Sequence, residues 1–330
     1  MNNALSLICI LIAVFAITMY VLLDGFDLGV GILLLSARRP HERDELVESI
    51  APIWDGNETW LILAAIVLFG AFPLAYAILV PAFYLPFMLM LVSLGFRGVS
   101  MEFRVHTPFP RFWNGAFCVG STLAAFCQGL VAGALLSGSV SVAQGQFAGR
   151  TLDVFTGFNC LMGLTAVAAY AMLGAGWIRW KTGARLQRYH LPVLRFVMLA
   201  FLLLTVLVCA LAATTPTVAS MWQTRPVLMV LFGAVSAFLW LAAVVSLRSR
   251  RDGLPLLFEL ATVAVLLLGF VAMLWPYVVP FSIPFEDAAA GRGSQLMVAV
   301  GAAVMLPVVL GYNAFAYWVF RGKVRAPGKG

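Results

Sequence analysis

Six ionisable side chains stand in stretches of this sequence that are otherwise apolar: Asp24, Asp27, Asp55, Glu58, Arg97 and Glu259. On insertion scales an ionisable group at membrane depth costs roughly 2.5–3.5 kcal/mol, so each one invites a chemical explanation. Asp24 and Asp27 are three residues apart, as are Asp55 and Glu58, which in a helix puts each pair on one face. Four carboxyls and a guanidinium suit two tasks. One is a hydrated path that carries protons inward from a membrane surface. The other is a set of counter-ions. Depth favours Asp27 and Asp55 for function: at 1.5 Å per residue, Asp27 lies about 16 Å along a helix from Arg38, and Asp55 about 10 Å in from Glu48. The competing reading is structural. Arg97 pairs with one or two acids or snorkels to the interface, and Glu259 is a solvated residue at the end of its helix.

Groups suited to redox chemistry are scarce. His41, His106 and His190 are the whole histidine supply, and each falls in a polar connection. A haem held by histidine needs an imidazole in or at the edge of the membrane, so this chain alone looks unsuited to that role. Cys9, Cys118, Cys127, Cys160 and Cys209 all lie in apolar runs without a CxxC spacing, which predicts buried, inert thiols. Neither a Walker nor a dinucleotide glycine fingerprint is present.

The elements that must position the charges follow from composition. Of the 330 residues, 62% are hydrophobic and 11% charged, with a mean hydropathy of +0.98, which excludes a soluble globular domain. Apolar windows predict nine helical spans, at 4–36, 49–72, 74–100, 112–137, 154–178, 191–213, 226–247, 255–276 and 296–319. Pro81 and Pro86 are expected to bend the third. The N-terminal run has no Lys or Arg before Arg38 and no small-residue cleavage site, so it reads as a retained span. Seventeen of the 21 basic residues follow spans one, three, five and seven or close the chain, while Arg150, Arg225 and Arg292 lie on the other side. That asymmetry predicts a periplasmic N-terminus and a cytoplasmic C-terminus, and it assigns the net charge of +7 to topology rather than to nucleic acid. Trp113, Trp177, Trp180 and Trp318 near predicted inner ends, with Trp222 and Trp275 near outer ends, resemble an aromatic belt.

The expected architecture is an all-α polytopic bundle forming one membrane domain over 1–330. Span one ends in YVLLDGFD (20–27) and span five in YAMLGAGW (170–177), a weak internal echo. It allows a charge-bearing bundle over 1–137, a related apolar bundle over 154–276 and one further helix at 296–319.

The segments YVLLDGFDLGVG (20–31), SIAPIWDGNETW (49–60) and FRG (96–98) together resemble subunit II of the cytochrome bd family of quinol oxidases, in particular its shorter, cyanide-insensitive branch. The resemblance implies a bacterial inner-membrane heterodimer. A larger subunit I would ligate haem b and haem d, or haem b alone, with a small single-span accessory subunit and a bound quinone in some members. The complex would oxidise ubiquinol and reduce O₂ to water, taking protons from the cytoplasm without pumping. Carried onto this sequence, the family's important acids match Asp27 and Asp55 and its important arginine matches Arg97. Glu58 stands where some relatives have glutamine. Asp55, Glu58 and Asp24 are expected on the proton pathway, while Asp27, Arg97, Trp54 and Asn57 support the haem site or the subunit interface. Two other classes compete: a proton-coupled secondary transporter, which should carry a midplane substrate site, and a scaffold that only stabilises its partner.

Overall fold

The computed structural model describes residues 2–215, 218–220 and 224–324. Trp222, Arg325 and Lys329 lie outside them. The helices are α1 (Asn2–Leu33), α2 (Pro40–Glu48), α3 (Trp54–Ala71), α4 (Pro73–Ala82), α5 (Tyr84–His106), α6 (Pro110–Ser137), α7 (Gly157–Lys181), α8 (Ala184–Ala212), α9 (Pro226–Ser246), α10 (Leu254–Leu274) and α11 (Arg292–Val319). Two antiparallel hairpins, at 142–147 and 277–284, lie against α4. Local chemistry explains the boundaries. Proline occupies the first turn of α2, α4, α6, α9 and α10, where its missing N–H costs nothing. Helix α6 stops at Gly138, whose φ of 69° is left-handed and suits a residue without Cβ. The Thr156 hydroxyl caps α7 by accepting the Asn159 N–H at 3.1 Å.

Among the described residues, eight helices are long and apolar enough to cross a membrane. The expected number is nine: the span expected at 49–72 is α3, which is not among the eight because Asp55, Asn57 and Glu58 in the first turns of its 18 residues lower its hydropathy. Helix α1 lies against α3, α6, α7 and α11, and α7 lies against α1, α6, α8 and α10, so these two helices form the axis of the bundle. Their crossing falls on the two echoing segments. A Cβ on Gly29 would collide with the Tyr170 carbonyl and with Gly174, so both positions must be glycine for the backbones to approach. Beside them Phe26 stacks on Trp177 at 4.2 Å between ring centroids. Gln128 of α6 joins the two tyrosines: its amide donates to the Tyr20 hydroxyl at 2.9 Å and accepts from the Tyr170 hydroxyl at 2.7 Å.

Several expectations are corrected. The bend in the third span is a break at Phe83: α4 ends at Ala82 and α5 starts at Tyr84, with Pro81 and Pro86 each lacking a helix donor on either side of it. Helix α5 then continues to His106, so Arg97 is not an interfacial end residue but lies well inside a helix, fully buried. The connection after α1 folds into α2 instead of remaining a polar loop. His190 is a buried residue of α8, and His106 is the last residue of α5. Cys209 is exposed on α8 and Cys118 and Cys160 are half-buried, since apolar sequence in a membrane protein faces lipid as readily as core. Trp177 belongs to the core rather than to a belt. Glu259 is fully buried, not solvated, because α10 lays it against Gly176 of α7 where no side chain competes for the space.

Candidate functional site

Asp24 and Asp27 sit on the face of α1 turned into the bundle, each with no exposure at all. Asp24 forms an ion pair with Arg97 of α5, Oδ1 to Nη1 at 2.8 Å. Both partners are sealed from solvent, the regime in which desolvation is large and the geometry of the pair decides its worth. The guanidinium also lies over the Trp54 ring, 5.8 Å from its centroid. Gly98, next to Arg97, allows this: a Cβ there would come within 3.2 Å of the Trp54 ring. Asp27 is held differently. Asn57 of α3 donates to its Oδ2 at 2.7 Å, and the Asn57 carbonyl oxygen accepts from the Tyr317 hydroxyl of α11 at 3.0 Å.

Asp55 and Glu58 do not join this cluster in equal measure. Residues 49–53 are turns and α3 begins at Trp54, so the helical rise that would bury Asp55 is absent and its side chain is exposed. Glu58, one turn further, is half-buried and has Asp24, Arg97 and Asp55 as its electrostatic neighbours. The acids therefore grade from exposed Asp55 through Glu58 to sealed Asp24. Arg97 in turn faces Asp24, Asp27 and Glu58, one cation among three carboxyl groups.

Sequence reasoning passed over several parts of the arrangement. Gln128 and Tyr317 were legible only as polar residues in apolar helices. The pair of Arg104 and Asp44, 2.7 Å apart with Asn114 accepting from Arg104 Nε at 3.1 Å, joins α5 to α2 and α6, and no spacing announces it. Glu42 caps α2 by accepting the backbone N–H groups of Arg39 at 3.0 Å and Arg38 at 3.1 Å. Burial alone would raise the Glu42 carboxyl, but these two donors outweigh it and hold it below the usual carboxylate range.

Fold and site together define a polytopic helical membrane subunit built around a buried acid–arginine cluster. The family model described as cytochrome bd terminal oxidase subunit II matches residues 5–320. The chain is 27% identical to the cytochrome bd ubiquinol oxidase subunit 2 of Bacillus subtilis (strain 168), over 96% of this chain and 95% of that protein. It is 28% identical to the cytochrome bd-I ubiquinol oxidase subunit 2 of Escherichia coli (strain K12), over 96% and 93% respectively. In fold it is similar to the bd oxidase from Geobacillus thermodenitrificans, with a TM-score of 0.79 at 16% identity over 96% of this chain and 98% of that one. The chain belongs to the cytochrome bd terminal oxidase subunit II family. It is thus a multi-pass inner-membrane protein and one subunit of an oxidoreductase complex.

The family implies haem in that complex. Within this chain His41 is exposed on α2, and His190 is only 2% exposed with its ring set against Tyr189. An imidazole enclosed by packed side chains, as His190 is, leaves no space for a macrocycle. His190 does not fit a haem.

Proposed function

We propose that this subunit supports a haem-bearing subunit I in ubiquinol oxidation and O₂ reduction to water, and that it brings protons from the cytoplasmic face toward that partner. The haems, b with d or b alone, supply the electron chemistry and belong to the partner. The observation that carries the proton role is the graded burial of Asp55, Glu58 and Asp24. Exposed Asp55 collects the proton. Half-buried Glu58 passes it on, and the Asp24–Arg97 pair receives it where solvent is excluded. A cluster with three carboxyls to one guanidinium has the composition a proton-holding site needs. Asp27, Arg97, Trp54 and Asn57 fix the face of α1, α3 and α5 beside the partner.

The asymmetry of basic residues supports a periplasmic N-terminus and a cytoplasmic C-terminus, which puts Asp55 on the cytoplasmic side and makes turnover electrogenic without pumping. In the assembled complex, Asp55→Asn should lower turnover and leave the haem spectrum unchanged. Loss of the haem signal without a separable kinetic defect would make Asp55 structural. The scaffold reading has one observation in its favour, the sealed Arg97–Asp24 ion pair, and it requires activity per assembled complex to survive removal of all four acids.

A further inference from the structure

A cavity of about 620 Å³ opens where the start of α2 meets the start of α8, lined by Arg38, Arg39, Glu42, Arg185, Arg188 and Tyr189. Four guanidinium groups thus face a single carboxylate, and that carboxylate is already engaged by the Arg38 and Arg39 backbone N–H groups. Among the described residues none of the four arginines forms an ion pair. Arg38 is held in place by the Tyr189 ring, its guanidinium 5.1 Å from the ring centroid. Concentrated, uncompensated positive charge of this kind calls for an anion, and the planar guanidinium matches the oxygens of a phosphate.

The surface next to the cavity narrows the class of anion. Along α8 the exposed residues Arg188, Pro192, Arg195, Leu199 and Val206 recur at helical spacing on one face. Arg195 is the last cation. Beyond it Leu199 is 52% exposed, Leu203 60% and Val206 58%. Arg188 and Arg195 are about 10 Å apart along the axis, comparable with the polar layer of about 5–8 Å that flanks the hydrocarbon on each side of a bilayer. The stripe therefore runs from the arginine-lined cavity onto an exposed apolar face of α8.

We propose that this face binds an anionic phospholipid of the adjoining leaflet, its phosphate among Arg38, Arg39, Arg185 and Arg188 and one acyl chain along the exposed stripe of α8. A free phosphate would use the arginines but leave the stripe without purpose, and a lipid uses both. Each arginine near an anionic lipid is worth about 5-fold in binding, so losing two should weaken the site about 30-fold.

The test uses the purified, assembled complex in nanodiscs of phosphatidylcholine with or without phosphatidylglycerol, with retained lipid read by native mass spectrometry. Wild type should retain phosphatidylglycerol. R185Q/R188Q should lose it, while R248Q/R250Q, at another exposed basic cluster, should keep it. Equal retention by wild type and R185Q/R188Q overturns the proposal. So does competition by inorganic phosphate that removes the lipid's effect in full, which would mark a free-anion site. Loss of a partner subunit from R185Q/R188Q with lipid retention intact would also overturn it, by marking a protein interface. Should the double variant fail to assemble, a phosphatidylglycerol with a photoreactive acyl chain decides on wild type alone. Cross-links at Leu199 or Leu203 support the site, and their absence overturns it.

Discussion

Replacing Arg97 by glutamine removes the one guanidinium that faces Asp24, Asp27 and Glu58. Exposed ion pairs contribute about 0–1 kcal/mol, but removing one partner of a buried pair costs about 3–5 kcal/mol because the other charge is left uncompensated. The burial decides which figure applies. Both side chains are 0% exposed and meet at 2.8 Å, so the larger one is expected. Loss of the contact with Trp54 adds to it. Asp24→Asn should cost less, since the guanidinium keeps Asp27 and Glu58 as neighbours. The double variant R97Q/D24N should cost less than the sum of the two, with a coupling of about 1–3 kcal/mol. The assay is unfolding of the assembled complex in SDS for all four proteins, followed by far-UV circular dichroism. A cost below about 1 kcal/mol for R97Q, or additivity within about 0.5 kcal/mol, would refute the buried pair.

Gly29→Val should separate α1 from α7, since its new atoms meet the Tyr170 carbonyl and Gly174; overpacking of this kind costs about 1–3 kcal/mol or more, and the near-UV circular dichroism of the Phe26–Trp177 stack should change. Gln128→Leu removes two hydrogen bonds between helices and should cost about 1–2 kcal/mol in the same SDS assay, with Gln128→Glu recovering part of the loss. Glu42 is held below its ordinary range, so its contribution is present above the unfolded value of about 4.3 and is lost as pH falls through the lower folded value. Thermal stability of E42Q should therefore approach that of wild type as pH falls below about 4, and a gap that stays constant with pH would count against the capping role.

The all-helical membrane architecture and the asymmetry of the basic residues follow from one-dimensional chemistry, whereas the number of helices does not: α2 and the division of the third span at Phe83 appear only in the fold. A charge in apolar sequence is costly wherever the chain goes, so Asp24, Asp27 and Arg97 announce themselves without a fold. Depth did not transfer as well. The expected burial of Asp55 assumed a continuous helix from Glu48, and the turns at 49–53 cancel it, leaving the carboxyl exposed. Glu259 errs in the opposite sense, because its burial depends on Gly176 of a helix some eighty residues earlier.

Partner choice lay further out of reach. Spacing puts Asp24 and Asp27 on one face, but only the packing of α3 on α1 and the reach of the Arg97 side chain from α5 give one to Arg97 and the other to Asn57. The echo between residues 20–27 and 170–177 is a faint pattern in the sequence, and in space it marks the crossing where Gly29 meets Gly174 and Gln128 joins Tyr20 to Tyr170. Residue chemistry alone settles the solvent, the helical class and the costly charges, because transfer energies are local properties of residues. Tertiary structure alone decided which charge meets which and which faces lipid, because those depend on distances between helices that no local term encodes.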